Sequence, residues 1–234
     1  MKPNLLNFPM GKDKIRRFAL MKTFDHVVEP TLDDVKSGDF ALKGKWHQEF
    51  FKNNNPIVLE LGCGKGEYAV GLARRYPEKN FLGVDIKGAR MFIGAKQAID
   101  ENLNNVGFLR TRIEFIHAFF AENEIDEIWL TFSDPQPNKP KKRLSYKRYI
   151  DMYRAFLKPG GIVHLKTDSD LLYESTLEEI AEHGYQIIQD TNDLYGTLVH
   201  DLDQETREIL EIRTHYETLF SAKGYKIKYV KFTI

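Results

Sequence analysis

Residues 58–66 read Val-Leu-Glu-Leu-Gly-Cys-Gly-Lys-Gly, and this stretch decides the fold. Apolar residues lead into a turn that carries Gly62, Gly64 and Gly66, and the amphipathic segment 66–76 follows. Glycine lets the backbone turn sharply and come close to a ligand, where another side chain would clash. The stretch therefore predicts a strand, a glycine-rich turn and a helix, with a site for a nucleotide-type cofactor at the turn.

Short apolar runs alternate with amphipathic segments from residue 56 to about residue 190. This order is typical of a parallel sheet that is covered by helices. The predicted strands are PIVLELG (56–62), FLGVD (81–85), VGFLR (106–110), DEIWLTF (126–132), GIVHLKTD (161–168) and GYQIIQD (184–190). The predicted helices are GEYAVGLARRY (66–76), KGARMFIGAKQAIDENL (87–103), SYKRYIDMYRAFLKPG (145–160) and SDLLYESTLEEIAEHG (169–184).

The two ends of the chain do not follow this alternation. GYKIKYVKF (224–232) alternates apolar and basic residues, which predicts a half-exposed, antiparallel seventh strand at a sheet edge. TLDDVKSG (31–38) and ALKGKWHQEFF (41–51) read as short helices. We therefore predict an α/β, doubly wound, three-layer α/β/α fold with a mostly parallel seven-stranded sheet and an antiparallel last strand. Residues 1–50 would form a helical extension packed on a main domain at 51–234.

The composition is that of an ordinary folded protein, with 42% hydrophobic and 29% charged residues and a formal net charge of zero. A neutral chain is unlike a protein that coats nucleic acid indiscriminately. The placement of charge is uneven, however. The basic residues concentrate in two clusters, at Lys139, Lys141, Lys142, Arg143, Lys147 and Arg148, and at Lys223, Lys226, Lys228 and Lys231. Because such runs are usually solvated faces, charge alone does not predict RNA binding.

Three further features concern location and metals. No apolar stretch approaches the roughly 20 residues that cross a bilayer, and the N-terminal apolar run is too short for a signal peptide. We therefore expect a cytoplasmic protein without membrane contact. The single cysteine, Cys63, forms no internal disulfide, and it shows no zinc-site spacing with the seven histidines. We expect no metal, and we interpret Cys63 as a small filler between glycines.

Charged residues around the glycine-rich turn indicate which cofactor binds there. The dinucleotide fingerprint would have Gly or Ala at position 67, but the chain has Glu67, and Glu60 precedes the turn. Carboxylates repel a pyrophosphate, whereas S-adenosylmethionine carries an ammonium and a sulfonium and no phosphate. Asp85 ends the next strand at a distance suited to binding both ribose hydroxyls. A lone glycine turn is often only a tight connection, but the combination predicts an S-adenosylmethionine site.

The predicted substrate side follows the fourth strand, in the stretch 131–137 that reads TFSDPQP. Ligands of open α/β sheets bind beyond the carboxyl ends of the strands, so Asp134 would face the cofactor crevice. The alternative is an ordinary surface turn, in which Asp before Pro is frequent.

At this point the sequence resembles the bacterial tRNA (guanine-N7-)-methyltransferase family, a Rossmann-like class I family that uses S-adenosylmethionine. The motifs that match in order are LELGCGKGEY, FLGVD, FSDP with a Lys/Arg run, KTD, and Thr214-His215-Tyr216-Glu217 ahead of LFSAKGYKI. The glycine turn is common to class I methyltransferases, while the other motifs together are specific. The resemblance implies methylation of N7 of a tRNA guanosine, that of the variable loop, by a monomer or a homodimer.

The resemblance also assigns roles to individual residues, with Asp134 as the catalytic residue. The implied cofactor contacts are Glu60, Gly62, Gly64, Gly66, Asp85, Arg112 and Asp134. The implied substrate contacts are Asp168, Thr214, His215, Tyr216 and Glu217, together with Asn138 or Lys139. Two positions depart from the family: Arg112 replaces an Asp or Asn, and Gln136 replaces an aromatic residue. Thr214 and Glu217 also fit a helix capping box, and Asp168 also fits a helix N-cap.

The chemistry distinguishes this interpretation from its alternatives. N7 of guanine has an available lone pair, so the enzyme needs in-line positioning and charge stabilisation but no general base. Enzymes that methylate an amino group of nucleic acid typically follow their Asp or Asn with two adjacent prolines and an aromatic residue, whereas Asp134-Pro135-Gln136-Pro137 lacks the adjacent second proline and the aromatic. A noncatalytic RNA-binding protein on this fold would be expected to lose Glu60 and Asp85. A small-molecule methyltransferase would be expected to carry an apolar lid where this chain has a basic run.

Overall fold

The computed structural model describes residues 14–202, 204–212, 214, 217–218 and 224–234. Its strands are β1 (Val27–Val28), β2 (Ile57–Leu61), β3 (Asn80–Val84), β4 (Val106–Leu109), β5 (Ile125–Thr131), β6 (Leu157–Thr167), β7 (Gln186–Thr191) and β8 (Lys228–Thr233). Its α-helices in these ranges are α1 (Lys14–Met21), α2 (Leu32–Ser37), α3 (Glu67–Arg75), α4 (Gly88–Asp100), α5 (Lys147–Tyr153), α6 (Asp170–His183), α7 (Val199–Asp201) and α8 (Gln204–Leu210). Short 3-10 or π segments cover Trp46–Phe51, Ile113–Ala118, Pro140–Lys142 and Leu194–Leu198. No helix within the described ranges combines the length and the apolar character that a bilayer span requires.

The eight strands form one sheet in the order β1-β4-β3-β2-β5-β6-β8-β7. Strand β8 is antiparallel to both of its neighbours, and the other pairs are parallel. The chain builds outward from β2 to β4 and then starts again at β5, on the other side of β2. The strand order therefore reverses between β2 and β5, which is the point where open α/β sheets bind ligands.

Alternate residues of the central strands enter two separate cores. Leu59 of β2 packs in a core with Tyr153 of α5 and Leu172 of α6. Its neighbour Val58 packs on the other face, in a core with Leu72 of α3. Because successive side chains of a strand point to opposite faces, a strand that is apolar on both faces must be covered twice. The predicted doubly wound, three-layer arrangement is confirmed.

Two details of the predicted sheet differ in the structure. An eighth strand, β1, comes from the N-terminal segment and pairs with β4. The antiparallel last strand is confirmed, but its predicted place at the edge is wrong, since β8 lies between β6 and β7. The predicted edge position rests on the alternating lysines, whose pattern is typical of a solvent-exposed face. Lys228 is only 4% exposed, because its ammonium binds the carbonyl of Asp168 at 2.8 Å and the carboxylate of Asp170 at 2.7 Å.

The predicted helix over 145–160 is too long, and the structure shows why. Helix α5 ends at Tyr153, while Pro159 and Gly160 lie within β6. The register between β5 and β6 is irregular at this place, and Gly160 takes a φ of 74°. Proline cannot continue a helix, and glycine accepts the left-handed backbone that the irregularity requires.

Besides the pairing of β1 with β4, a buried carboxylate links the N-terminal segment to the sheet domain. Glu124 accepts hydrogen bonds from the backbone N–H groups of Gly44 at 2.9 Å, Trp46 at 3.1 Å and Ala121 at 2.8 Å. The Trp46 indole is fully buried and donates to the carbonyl of Phe119. These contacts join residues 44–46, which precede β2 in the chain, to residues 119–124, which follow it. The domain boundary at residue 50 stays a prediction.

Candidate active site

A cavity of about 940 Å³ opens at the carboxyl ends of the central strands, where the strand order reverses. Four carboxylates that follow or end four different strands line it. They are Glu60 in β2, Asp85 after β3, Asp134 after β5 and Asp168 after β6. The structure thus brings together the acids that the sequence placed at strand ends. The four carboxylates at the strand ends favour a positively charged group of a ligand beside them.

The glycines of the turn differ in what they leave room for. Gly62 and Gly64 line the cavity with φ values of 82° and 56°. A Cβ at Gly62 would have no other atom within 4 Å, so the missing side chain leaves open space along the cavity. A Cβ at Gly66 would lie 2.5 Å from the ring of Phe108, and Gly66 does not line the cavity. Gly66 is therefore needed for packing and for its φ of 71° at the start of α3.

Glu60 spans the point where the strand order reverses. It is 3% exposed, and it accepts hydrogen bonds from the backbone N–H of Ala69 at 2.9 Å and from the hydroxyl of Thr131 at 2.5 Å. The first bond caps the N-terminus of α3, and the second joins β2 to β5. Burial raises the pKa of Glu60 to about 7, against the lowering effect of these two hydrogen bonds. Its charge therefore depends on the pH and on what occupies the cavity.

Asp85 holds the glycine turn in place. Its two carboxylate oxygens accept hydrogen bonds from the backbone N–H groups of Gly64 at 2.9 Å and Lys87 at 2.8 Å. Each carboxylate oxygen has a second lone pair, so Asp85 can bind the turn and accept hydrogen bonds from a ligand at the same time.

The loop after β5 has a strained backbone around Asp134. Phe132 and Gln136 both adopt left-handed conformations, with φ values of 48° and 47°. Asp134 is exposed and accepts one hydrogen bond, from the backbone N–H of Gln136 at 3.0 Å. The buried side chain of Arg143 donates to the carbonyl of Pro135 at 2.9 Å. Strain of this kind costs of order 1–3 kcal/mol per residue and persists where the surroundings fix the conformation.

Ser133, next to Asp134, has a buried hydroxyl that lines the cavity and finds no hydrogen-bond partner in the described part of the chain. A buried hydroxyl without a partner costs about 1–3 kcal/mol. A ligand in the cavity could satisfy this group. The sequence did not single out Ser133.

The carboxylate of Asp168 is not used to cap helix α6, because the neighbouring Ser169 caps it. Ser169 is the N-cap of α6 and accepts a hydrogen bond from the backbone N–H of Leu172 at 3.2 Å. The alternative role of Asp168 as the helix cap is therefore wrong. Among the described residues, the Asp168 carboxylate has no hydrogen-bond partner, and it lines the cavity.

Comparison with known proteins connects this site to a family. A family model described as "Putative methyltransferase" matches residues 54–230. A tRNA (guanine-N(7)-)-methyltransferase of Bacteroides fragilis (strain YCH46) is 51% identical over 225 residues, which are 96% of this chain and 87% of that protein. The chain belongs to the tRNA (guanine-N7-)-methyltransferase family. The resemblance drawn from the sequence motifs is confirmed.

Solved structures support the fold. The 16S rRNA methyltransferase KamB superposes with a TM-score of 0.59 at 16% identity, covering 80% of this chain and 91% of that one. A mutant of the 16S rRNA (adenine(1408)-N(1))-methyltransferase from Catenulisporales acidiphilia, solved with cosubstrate SAM, superposes with a TM-score of 0.53 at 16% identity, covering 81% and 90%. At this identity the likeness concerns the fold alone.

The C-terminal family motif is divided between the cavity and the interior. Thr214 lines the cavity, while Glu217 is fully buried and does not. The backbone N–H of Glu217 donates to the Thr214 hydroxyl at 3.1 Å, and that of Thr214 donates to the Glu217 carboxylate at 3.4 Å. This is the capping box that the sequence offered as an alternative. His215 and Tyr216 lie outside the described residues, so their predicted contacts stay predictions.

The basic loop places a different residue at the cavity than expected. Neither Asn138 nor Lys139 lines the cavity, whereas Lys142 of the same loop does. Arg112 lines it too, with its guanidinium 3.5 Å from the carboxylate of Glu114. We call the cationic residues of the cavity wall the basic rim. Its members are Lys65, Lys87, Arg90, Arg112 and Lys142.

The sequence contained a signal for most of this rim, because its members follow the carboxyl ends of β2, β3, β4 and β5. The prediction missed the rim as a group because its members lie after four different strands and no two of them fall in one charged run. Thr111 and Tyr149 also line the cavity, and neither belongs to a motif that the sequence analysis singled out.

The cavity fits S-adenosylmethionine by the chemistry of its lining. The space beside Gly62 and Gly64 lets a ligand lie against the backbone of the turn. Glu60, Asp85 and Asp134 supply negative charge toward a cationic ligand, and Asp85 retains acceptor capacity for hydroxyl groups. Among the described residues, no group of His, Cys, Asp and Glu side chains has the arrangement of a metal site.

Proposed function

We propose that this protein transfers the methyl group of S-adenosylmethionine to N7 of a guanosine in tRNA. The observation that carries the proposal is a single cavity in a member of this family, lined by six carboxylates, four of which lie at strand ends, and by five Lys or Arg side chains. The carboxylates suit a cationic methyl donor. The basic rim suits a polyanionic substrate.

The cofactor wall is formed by the loops after β2 and β3. Here Gly62 and Gly64 provide the backbone cradle, and Asp85 accepts hydrogen bonds from hydroxyl groups. Glu60 contributes charge from beneath and is ionised more readily when a cation lies above it. When bound, S-adenosylmethionine supplies an electrophilic methyl group.

The substrate wall is formed by the ends of β5 and β6. Asp134 accepts hydrogen bonds from the N1–H and amino edge of the guanine and offsets the positive charge that develops on the ring. Asp168 and Thr214 bind the nucleoside from the opposite side of this wall, and Lys142 binds from the loop. Because N7 has its own lone pair, these residues position the base without removing a proton. Held geometry of this kind lowers a barrier by roughly 7–11 kcal/mol in favourable cases.

The basic rim would bind phosphates of the tRNA on both sides of the target nucleoside. Arg112 and Lys87 lie on the β3–β4 side, and Lys142 lies on the β5 side. The choice of the variable-loop guanosine rests on the resemblance. The cytoplasmic location and the monomeric or homodimeric state stay predictions.

The test is incubation of the protein with an unmodified tRNA transcript and methyl-labelled S-adenosylmethionine, followed by nucleoside analysis. We expect label in 7-methylguanosine, and we expect its loss when the variable-loop guanosine is replaced by adenosine. Label in an amino-methylated nucleoside would instead support the amino-directed alternative. Cofactor binding by calorimetry without any transfer would support a noncatalytic RNA-binding protein.

A further inference from the structure

Lys166 is a fully buried cation one residue before the end of β6. Its ammonium lies 2.8 Å from the carboxylate of Glu217, which is also fully buried. It donates as well to the carbonyls of Leu210 at 2.5 Å and Ile212 at 3.2 Å. A buried ammonium with a carboxylate and two carbonyl partners is well satisfied, and it ties Leu210, Ile212 and Glu217 to the sheet.

Two tyrosines complete this cluster. The ring centroids of Tyr68 and Tyr195 lie 5.6 and 5.8 Å from the Lys166 ammonium, within range of a cation–π interaction. The Tyr195 hydroxyl donates to the Glu217 carboxylate, and its oxygen lies 3.1 Å from the carbonyl oxygen of Leu210. The Tyr68 hydroxyl donates to the carbonyl of Ile209 at 3.0 Å. The cluster therefore binds the carbonyls at the C-terminal end of α8, where a cation is favourable.

The backbone of Lys166 also contacts the loop that carries Asp134, and Lys166 lies close in the chain to Asp168. Its carbonyl accepts a hydrogen bond from the backbone N–H of Phe132 at 2.8 Å, at the base of the strained loop that carries Asp134. Asp168 follows two residues later in the chain. One residue thus connects the segment of Thr214, the loop of Asp134 and the end of β6.

We propose that Lys166 and Glu217 form a buried latch that positions Thr214, and with it the target nucleoside, in the cavity wall. Glu217 is then a positioning residue that acts through Lys166, and it does not touch the nucleoside. The inference rests on the proposed function, because the nucleoside is its ligand. The carboxylates of the cofactor wall, Glu60 and Asp85, take their hydrogen bonds from Ala69, Thr131, Gly64 and Lys87 and not from the latch.

The experiment compares four variants of the full chain in the tRNA assay, with cofactor affinity measured separately by calorimetry. They are Lys166→Met, Glu217→Leu, the double variant with both changes, and the control Lys158→Met. Lys158 lies at the opposite end of the same strand, where it pairs with Asp126, and it does not line the cavity. The wild-type protein must produce 7-methylguanosine for the comparison to be made, so a failure of the proposed function is seen first and separately.

Each single variant leaves one buried charge without its partner, whereas the double variant replaces the pair by apolar side chains, which proteins tolerate far better. We expect each single variant to lose about 10- to 100-fold in kcat/KM for tRNA through a displaced segment, with cofactor Kd within about twofold of wild type. The double variant should regain part of the lost melting temperature, because no unpaired charge stays buried, but its kcat/KM for tRNA should stay low, because Met and Leu restore neither the carbonyl contacts of Lys166 nor the Glu217 cap on Thr214. The Lys158→Met control should keep wild-type kcat/KM.

Wild-type kcat/KM for tRNA in Lys166→Met, together with a large loss in Glu217→Leu, would overturn the proposal, because Glu217 would then act without Lys166. If the single variants do not fold, Tyr195→Phe decides, since it removes one hydroxyl from the latch and keeps the ring. We expect it to raise the KM for tRNA about 3- to 10-fold, the loss of one hydrogen bond to a charged group, without changing cofactor Kd. An unchanged KM for tRNA in this variant would contradict the latch.

Discussion

The two walls of the cavity are built differently. On the wall formed by β2 and β3, Glu60 and Asp85 each accept two hydrogen bonds from the protein itself. On the wall formed by β5 and β6, Asp134 accepts one, from the Gln136 amide, and Asp168 accepts none from the described residues at its carboxylate.

The difference shows which wall is complete without a ligand. The acids of the β2–β3 wall fix the turn that they belong to, so this wall is preorganised. The acids of the β5–β6 wall keep most of their acceptor capacity. Next to Asp134 in the chain lie Ser133, whose hydroxyl has no hydrogen-bond partner among the described residues, and the strained Phe132. We therefore expect changes on the β5–β6 wall to impair catalysis at little cost in stability, and changes on the β2–β3 wall to affect both.

The largest effect is expected for Asp134→Ala. Loss of a group that stabilises developing charge should lower kcat about 10²- to 10³-fold. The melting temperature should change little, because Asp134 is exposed. Single-turnover methyl transfer and thermal unfolding of the same preparation measure both. Wild-type turnover in this variant would remove Asp134 from the mechanism.

Asp168→Ala should come next, with a loss of about 10- to 100-fold in kcat/KM for tRNA, since a misplaced nucleoside reacts slowly. Glu174→Ala is the matched control, because that carboxylate is exposed, lies in the same helix and does not line the cavity. The two variants are compared in steady-state assays with varied tRNA. Equal losses in both would show that the effect comes from helix α6 and not from the Asp168 carboxylate.

Glu60→Gln tests the preorganised wall through pH. The folded-state pKa of about 7 lies above the value of about 4.5 for an unperturbed glutamate, so the folded protein holds a proton that the unfolded chain releases. This contribution to the free energy of unfolding is complete below pH 4.5 and is lost as pH rises to 7. Affinity for a cationic cofactor should rise over the same range, because Glu60 becomes ionised.

In Glu60→Gln both pH dependences should flatten, and cofactor Kd at pH 8 should rise about 10-fold, as for the loss of about 1.4 kcal/mol of attraction between the carboxylate and the cation. Denaturant unfolding and calorimetry at pH 5, 6, 7 and 8 provide the data. A cofactor affinity in the wild-type protein that is the same across this range would contradict a role for the Glu60 charge.

A smaller effect is expected at the basic rim. Lys142→Ala should weaken tRNA binding and reduce the slope of log K against log salt by about 1, as for one lost phosphate contact. Lys147→Ala is the control from the same run of basic residues, because Lys147 pairs with Asp151 and does not line the cavity. Filter binding at several salt concentrations distinguishes them. Identical slopes for Lys142→Ala and wild type would assign Lys142 to a solvated surface.

The smallest effect is expected for Ser133→Ala. Removing a buried hydroxyl that has no partner among the described residues should leave the free energy of unfolding unchanged or raise it by about 1 kcal/mol. The same change should lower kcat/KM a few-fold, because one ligand contact is lost. Denaturant unfolding and steady-state kinetics measure the two effects. A structural role would show the reverse pattern, with lower stability and unchanged kinetics.

The sequence predicted the architecture and the meeting of the four acids, because both follow from periodicity and from the rule that strands of a parallel sheet end at one side. It did not predict the interior place of β8, since buried, paired lysines and solvated lysines look the same in a sequence. It also offered two roles for the carboxylate of Glu217, and only the three-dimensional structure shows that Lys166, 51 residues earlier, is its partner. Long-range ion pairs of this kind leave no local pattern.

The interior position of β8 has a consequence for assembly of the sheet. Among the described strands, β8 alone pairs with β7, although β7 precedes β8 by more than 30 residues. Until residues 228–233 are in place, the free side of β6 and both sides of β7 present unpaired backbone groups, which are templates for intermolecular pairing. A variant that stops before residue 228 should therefore aggregate rather than fold into a shorter enzyme.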